Sequence, residues 1–404
     1  MPVPDGGRHR LVGDKMGKSL ARGHAIDRLG ALLCLIGLAA VIGLPFVVFK
    51  ANRIVPGSAR SLLQIFPPWE VLAFYGVLVL VAATALGSVS ARVRLAAALI
   101  GVAAVTLAIG AAGDVLTPLG NKVVRVSPGA SFWVLLVCLG LLATDAITRL
   151  RPGPAMRVLF LVLFAVVVGA VLASGLLDHL SVMREYEVNA SRFAQEARQH
   201  VFLALGSVTG AVLIAVPVGI LCHRIPLLRA ATLGALNLIQ TIPSIALFGI
   251  LMVPLGALAA AAPFVTDIGI RGIGTAPAVL ALFLYSLLPV VANTIVGLGR
   301  VSPAAVDAAR GMGLTNWQIL TDIELILAFP VILTGIRIVL VQNIGLATVA
   351  ALIGAGGFGV FVFQGINQTA IDLVLLGALP IVALGFSCAV LLDALVETIN
   401  RTAR

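Results

Sequence analysis

The sequence predicts an all-α integral membrane protein, and three observations support this prediction. Hydrophobic residues make up 60% of the 404 positions and charged residues only 11%, whereas soluble domains are closer to about half apolar and a quarter charged. The apolar residues form uninterrupted runs of about 20 residues, enough to cross about 30 Å of hydrocarbon at 1.5 Å per residue. Because the runs do not alternate polar and apolar residues, a helical bundle is favoured over a β-barrel.

We expect about ten transmembrane helices, five in each half of the chain. The predicted spans cover residues 29–49, 69–89, 95–113, 130–146, 158–177, 201–221, 228–261, 276–298, 328–353 and 373–398. The seventh span is too long for one straight helix and too short for two helices with a loop. Because Pro243 and Pro254 fall inside it, we expect one crossing that is kinked or broken just before Pro243.

The predicted spans group into a basic tail (1–28), an accessory transmembrane region (29–177), a charged connector (178–200) and a C-terminal core (201–404). The accessory spans have almost no polar residue in their middles. The later spans contain several polar side chains at membrane depth, where such groups need partners or a wet cavity. The C-terminal core is therefore the predicted working unit.

The net charge of +10 is not concentrated in a basic cluster with aromatic residues, so nucleic-acid binding is not indicated. If the N-terminus is cytoplasmic, lysines and arginines favour the cytoplasmic loops by almost two to one, as the positive-inside rule requires. This orientation places both termini and the loop at 299–327 in the cytoplasm. It places the connector in the periplasm.

No metal, cofactor or nucleotide site is predicted on this chain. The four cysteines lack metal-type or disulfide-type spacing, and the five histidines lie in predicted loops and termini. The segment Gly13–Ser19 contains Gly-Lys-Ser but has three residues between its glycines, one fewer than a phosphate-binding loop requires.

The most polar stretch inside the C-terminal core is Val306–Leu325. Ser302-Pro303 predicts a helix start, and Gly311 and Gly313 predict its end. A Thr-x-x-Gln capping box beginning at Thr315 predicts a second helix, whose apolar stripe, Trp-x-x-Leu-x-x-Ile, is expected against the underside of the bundle. Two short helices joined by a glycine turn, parallel to the membrane, are suited to docking a soluble partner.

This stretch resembles the EAA cytoplasmic loop of ABC-importer permeases, which reads E-A-A, three residues, G, nine residues, I-x-L-P. Asp307, Ala308 and Ala309 stand at the E-A-A positions, and Gly313 follows at the matching distance. The resemblance implies that these four residues couple the permease to a separate ATPase, with the first helix of the loop in a groove of that ATPase.

Two positions depart from the family pattern. Asp307 replaces glutamate, which preserves the carboxylate, and Ile326 replaces the final proline, although Pro330 follows four residues later. We therefore expect the end of the loop to turn less sharply than in other members.

Three further stretches, NLIQTIPSIALFGILMVPLG, PAVLALFLYSLLPVVANTIVGL and LIGAGGFGVFVFQGI, are similar to permeases of osmoprotectant importers. Those importers carry glycine betaine, choline, carnitine or proline betaine. The likeness runs from Val201 to the C-terminus, and the N-terminal spans match a longer-chain subgroup described as glycine betaine uptake permeases. The resemblance implies a bacterial inner-membrane complex of two permeases, identical or homologous, two ATPases that bind ATP and magnesium, and a periplasmic or lipid-anchored binding protein.

Four polar residues within the predicted spans are candidates for the substrate pathway: Gln240, Thr241, Asn293 and Asn343. The alternative is that they satisfy carbonyls freed by prolines or make hydrogen bonds between helices.

Two other functions stay open from the sequence. An importer of the same type for another small polar solute, such as an amino acid, would show the same loop. An ion-coupled secondary transporter belongs to a different class and would need a carboxylate near mid-membrane. Asp145, Asp393 and Glu397 lie near predicted cytoplasmic ends of spans, which disfavours that class.

Overall fold

The structure is a computed structural model in which five stretches are described: residues 27–52, 55–118, 120–121, 123–267 and 269–402. The predicted basic tail (1–28) and the Gly-Lys-Ser segment therefore lie almost wholly outside the described residues. The described part is dominated by α-helices, as expected for the predicted fold class. These residues form two compact units, one up to Pro152 together with Val171–Leu180, the other Gly153–Ala170 together with Ser181 onward.

The first unit contains four helices and a small sheet. The helices are α1 (Arg28–Gly43), α2 (Pro68–Leu86), α3 (Ala91–Leu116) and α4 (Ala130–Leu150). α3 packs against α2 and α4, and α4 also packs against α1. The strands β1 (Val47–Lys50), β2 (Ser58–Arg60) and β3 (Arg125–Pro128) form an antiparallel sheet in the order β2-β1-β3.

The sheet corrects the prediction for the first span. The predicted helix 29–49 ends at Gly43, so α1 has only 16 residues. Leu44 is extended because it precedes Pro45, and the residue before a proline avoids the helical conformation. The following Val-Val-Phe run then pairs as β1, since β-branched and aromatic residues favour strands. The all-α prediction holds for the bundle but omits this sheet.

An ionic cluster ties the first unit together near the start of α1. Arg94 is buried and pairs with Asp27 and Asp145, and Arg149 pairs with the same two carboxylates. Burial alone would raise the pKa of Asp27, but hydrogen bonds from Arg94 and the Gly30 N–H, with the charge of Arg149, hold this pKa below its ordinary value. The stability contributed by Asp27 is thus present at neutral pH and lost in acid, as pH falls through the lowered pKa.

The second unit is built around one very long helix. α5 (Pro154–Ala173) is shared between the units, and α6 (Ser181–Arg224) runs without interruption for 44 residues. At 1.5 Å per residue its length is about 66 Å, well beyond the hydrocarbon thickness. The predicted connector, 178–200, therefore supplies the first half of α6, because no helix-breaking proline occurs before Pro217.

The remaining elements of the second unit follow α6 directly. They are α7 (Pro226–Thr241), α8 (Ser244–Ala261), α9 (Pro263–Asp267), α10 (Thr275–Gly299), α11 (Pro303–Gly311), α12 (Asn316–Gln318), a π-helical segment (Ile319–Glu324), α13 (Leu325–Ala350), α14 (Gly359–Asn367) and α15 (Ile371–Thr402). α10 packs against both α6 and α13, and α13 packs against α15. The predicted break before Pro243 is confirmed, since α7 ends at Thr241 and α8 begins at Ser244.

Within the described residues, nine helices are long and apolar enough to cross a membrane, one fewer than the ten predicted. The first predicted span accounts for the difference, because α1 is shorter than the others. The protein is therefore a multi-pass membrane protein, and its described helices do not confirm the predicted division into two sets of five.

The close approach of α6 and α10 yields a stability prediction. A methyl group at Gly219 would lie 2.6 Å from Cβ of Thr294, whereas one at Gly210, on the same helix, would lie 3.7 Å from the Phe283 ring. Overpacking of this kind costs about 1–3 kcal/mol. We expect Gly219→Ala to lower the melting temperature in detergent and the control Gly210→Ala to leave it unchanged or raised. Equal melting temperatures for both variants would contradict this account of the packing.

Candidate functional site

The candidate coupling loop, residues 299–327, begins with a helix that ends as the sequence predicts. α11 is followed by Gly313 with φ of +85°. The N–H of Gly313 donates to the Arg310 carbonyl at 2.9 Å, and that of Leu314 donates to the Ala309 carbonyl at 3.1 Å. These two bonds form a Schellman motif, in which a left-handed glycine closes the helix. Gly311, by contrast, is the last residue of the helix itself.

The helix after the turn starts at the predicted capping box. The Gln318 N–H donates to Oγ1 of Thr315 at 3.3 Å, and the Thr315 N–H donates to Oε1 of Gln318 at 2.9 Å. Both exposed donors at the helix start are thereby satisfied. The loop is thus a helix–turn–helix whose two corners are defined by local hydrogen bonds.

The second helix of the loop is not a separate short helix, which corrects the prediction. From Asn316 the chain stays helical to Ala350, passing through the π-helical segment. Ile326 lies inside α13 with an exposed side chain, and Pro330 lies one turn further on in the same helix. Ile326 keeps the backbone N–H that proline lacks, and the helix continues through this position.

The coupling residues predicted from the resemblance have different environments. Asp307, Ala308 and Gly313 are exposed, whereas Ala309 is only 1% exposed. Asp307 pairs with Arg310 at 3.2 Å, and pairs of this exposed kind contribute little to stability. The surface of α11 therefore offers small side chains and one carboxylate, while Ala309 lets the helix pack closely on its inner side.

Two large apolar side chains are exposed at the turn, and neither exposure is predicted by the sequence. Met312 and Trp317 are each 71% exposed. The expectation of a buried stripe is wrong for Trp317, whereas Leu320 of the predicted stripe is buried, together with its neighbour Ile319. The π-helical segment shifts the buried face relative to a regular helix. Exposed Met and Trp next to a small-residue helix are typical of a protein-binding surface.

The predicted pathway residue Asn343 lies at the centre of the second unit. Its side chain is fully buried, and its Nδ2 donates to Oγ of Ser207 on α6 at 2.8 Å and to Oγ of Ser286 on α10 at 2.9 Å. Each serine hydroxyl donates to a carbonyl of its own helix. Asn343 thus joins three helices through one amide, which is the arrangement expected of the interhelical alternative.

The other pathway candidates also bond to nearby backbone. Gln240 donates to the Tyr285 carbonyl at 2.9 Å, while the Tyr285 hydroxyl donates to the Ile242 carbonyl at the break between α7 and α8. Thr241 and Asn293 donate to carbonyls of their own helices. The four candidates are not brought together into one site, and their role in the pathway stays a prediction.

Away from the coupling loop, the first half of α6 contacts the glycine-rich loop that follows α13. This loop comprises residues 354–357 (Gly-Ala-Gly-Gly). Oε2 of Glu196 accepts from the Gly357 N–H at 2.7 Å, and Nε2 of Gln199 donates to the Ala355 carbonyl at 2.8 Å and to Oγ1 of Thr275 at 2.9 Å. A polar cavity of about 580 Å³ lies beside these contacts. This loop is therefore fixed to α6 by side-chain hydrogen bonds, and Gln199 also bonds α6 to α10.

Two family models match separate parts of the chain. Residues 27–183 match the N-terminal domain of the ABC transporter permease YehY. Residues 215–404 match the binding-protein-dependent transport system inner membrane component. Together the matches cover most of both compact units.

Similar proteins align with the second half of the chain. The osmoprotectant import permease protein OsmW of Salmonella typhimurium is 44% identical over 212 residues, which cover 52% of this chain and 92% of OsmW. The carnitine transport permease protein OpuCB of Listeria monocytogenes is 37% identical over 204 residues, covering 50% of this chain and 86% of OpuCB. Among solved structures, an inward-facing form of the methionine ABC transporter MetNI aligns over 51% of this chain and 95% of its own, with a TM-score of 0.44 and 21% identity.

A helical membrane bundle with an exposed helix–turn–helix between two of its spans is the arrangement expected of a permease subunit. The chain belongs to the osmoprotectant-type permeases of binding-protein-dependent ABC importers, since it covers nearly all of OsmW at 44% identity and matches the family model over residues 215–404. Members of this family are transport components, and the family as a whole works with an ATPase and a substrate-binding protein.

The positive φ of Gly313 yields a prediction for the loop. Valine in this conformation is strained by about 1–3 kcal/mol, whereas asparagine tolerates it. We expect Gly313→Val to reduce uptake of the natural solute by about tenfold, the effect of about 1.4 kcal/mol, at an unchanged protein level in membranes. Gly313→Asn is the matched control and should keep most activity. Equal uptake by both variants would show that the turn does not matter.

The hydrogen bonds of Asn343 yield a second prediction. Asn343→Leu keeps a similar volume but removes the bonds to Ser207 and Ser286. Interhelical bonds of this kind contribute about 0.6–1.7 kcal/mol, so the melting temperature should fall. If Asn343 acts only between helices, the maximal uptake rate falls while KM and the preference among solutes stay unchanged. A changed preference would instead support the pathway role.

Proposed function

We propose that this chain is the transmembrane permease subunit of an ATP-driven importer for glycine betaine-like quaternary ammonium osmoprotectants. The observation that carries the proposal is the similarity to OsmW, a protein named as an osmoprotectant import permease. Relatives named for carnitine and choline transport support the same substrate class. All of these solutes carry a trimethylammonium group.

The proposed assembly contains this chain in the bacterial inner membrane with both termini in the cytoplasm. A second permease, identical or homologous, completes the pathway within the lipid bilayer. Two copies of an ATPase subunit bind ATP and magnesium, so the chain itself needs no cofactor. A periplasmic or lipid-anchored binding protein delivers the solute.

In the proposed mechanism, the coupling loop transmits motion from the ATPase to the bundle. Asp307, Ala308, Ala309 and Gly313 form or shape the surface that enters the ATPase groove. The Schellman turn and the capping box make the loop compact, and a compact element transmits a rigid-body rotation with little loss. Exposed Met312 and Trp317 add apolar area at the same turn.

Selection of the solute belongs mainly to the binding protein in this proposal. A quaternary ammonium group is held best by faces of aromatic rings. The cavity beside the glycine-rich loop is lined by polar side chains with Phe202 as the aromatic residue. The permease therefore provides a route that accepts small polar solutes after they have been selected.

The substrate proposal is tested by uptake in a strain that lacks its own osmoprotectant transporters. Radiolabelled glycine betaine is supplied with the permease, its ATPase and its binding protein. We expect excess choline, carnitine or proline betaine to suppress uptake and excess amino acids to leave it unchanged. Suppression by an amino acid alone would assign the chain to the alternative importer class.

Uptake in the same strain distinguishes ATP-driven transport from ion-coupled transport. Uptake should cease without the ATPase and should persist when an ionophore collapses the ion gradients while ATP is maintained. Uptake that needs the gradient but not the ATPase would identify a secondary transporter and overturn the proposal.

A further inference from the structure

Glu324 is a buried acidic residue near the end of the coupling loop, at a position for which the family pattern specifies no residue type. It is the last residue of the π-helical segment and is 5% exposed. Its carboxylate pairs with the guanidinium of Arg224, the last residue of α6. The Arg224 side chain is 44% exposed, so Glu324 is the buried partner, and loss of Arg224 would leave its carboxylate without a counter-charge. The pair therefore joins the coupling-loop side of α13 to the end of α6.

The π-helical segment connects α12, within the coupling loop, to α13. The Leu325 N–H donates to the Leu320 carbonyl five residues back, so this turn holds one residue more than an α-helical turn. Such segments have weaker hydrogen-bond geometry than α-helix and recur at functional sites. α11 packs directly on this segment. A displacement of α11 therefore reaches the π-helical segment before it reaches the membrane span.

Apolar contacts extend the same connection into the bundle. Leu298 of α10, Leu320 of the π-helical segment and Ala328 of α13 form one buried cluster. Val216 and Ile220 of α6 pack against this cluster. The π-helical segment thus lies in contact with a layer shared by three spans, and Glu324–Arg224 is the polar contact at its edge.

A small cavity lies beside Glu324. Its volume is about 210 Å³, and its lining includes His223 of α6, Glu324, and Asp307 and Arg310 of α11. The cavity separates α11 from the end of α6 on this side. On this side the ion pair is the contact that attaches the π-helical segment to α6.

We propose that Glu324 is a positioning residue for transport: its pair with Arg224 transmits displacement of the coupling loop to α6 as well as to α13. Without the pair, displacement of α11 moves α13 but does not move α6. This inference rests on the proposed function, because it takes the displacement to come from ATP-driven closure of the ATPase. Its test is therefore arranged to report on the two separately.

The first experiment uses the permease assembled with its ATPase and binding protein in lipid vesicles. Glu324→Gln and Arg224→Gln should each lower ATP-driven uptake about tenfold, a typical size for coupling between sites, while ATPase association and basal hydrolysis stay unchanged. The charge swap Glu324→Arg with Arg224→Glu should restore a large part of the uptake. Arg229→Gln, which removes a nearby exposed positive charge, is the control and should behave like the wild type.

The second experiment measures motion and needs no transported solute. Spin labels are placed at exposed positions of α6 and α11, Leu221 and Ala304, in a variant whose native cysteines are replaced by serine. In the otherwise unaltered protein, the distance between labels should stay nearly constant when a non-hydrolysable ATP analogue is added, because both helices move together. In Glu324→Gln it should change.

The outcomes separate the two proposals. If the analogue changes the labelled distance equally with and without Glu324, or if both single variants transport normally, the positioning role is overturned while the importer assignment stands. If the unaltered complex shows no ATP-dependent uptake of any osmoprotectant, the proposed function itself fails, and the role of Glu324 fails with it.

Discussion

The hydrogen bonds of Asn343 to Ser207 and Ser286 fix the relative positions of three helices at the centre of the second unit. α6, α10 and α13 meet at this point, and the polar and apolar contacts elsewhere in the unit are arranged along the same helices. Towards the start of α6, Glu196 and Gln199 hold the glycine-rich loop. At its end, Arg224 holds the π-helical segment beside the coupling loop. One helix therefore contacts both the glycine-rich loop and the π-helical segment at the end of the coupling loop.

This arrangement explains why a strongly apolar chain keeps a few buried polar groups. Apolar contacts between membrane helices are weakly selective, because lipid competes for the same surfaces. The Asn343 amide can bond to both serine hydroxyls in only one relative position of the helices. The same holds for the Glu324 carboxylate and the Arg224 guanidinium. The three helices are thus held in one register while the outer surfaces stay free to contact lipid.

Local signals in the sequence predict local features of this structure well. The proline before α8, the glycine after α11 and the capping box at Thr315 each act within a few residues, and each is found as expected. The β-sheet was missed because its strands are only three or four residues long and two of them border apolar runs. Trp317 was misplaced because a regular helical spacing was assumed through a segment that is π-helical.

Contacts between distant residues were beyond the reach of the sequence. Glu324 and Arg224 are 100 positions apart, and in the sequence Glu324 is one of several charges in the polar loop, while Arg224 is an ordinary charge at the end of a span. Asn343 was recognised as a polar residue at membrane depth, but its partners on two other helices were not identifiable. The length of α6 was also underestimated, since the charged connector was separated from the apolar span by composition although nothing breaks the helix between them.

The uninterrupted length of α6 has a mechanical consequence. Its anchor point, Ser207, divides the helix unequally, with about 26 Å towards Arg224 and about 39 Å towards Ser181 at 1.5 Å per residue. A rod that tilts about such a point works as a lever with arms of unequal length. A shift of about 2 Å at the Arg224 end becomes about 3 Å at the far end by this geometry. Glu196 and Gln199, which hold the glycine-rich loop, lie only about 16 Å and 12 Å from Ser207. The same tilt therefore gives a smaller shift, about 1 Å, beside that loop and the larger swing at the Ser181 end.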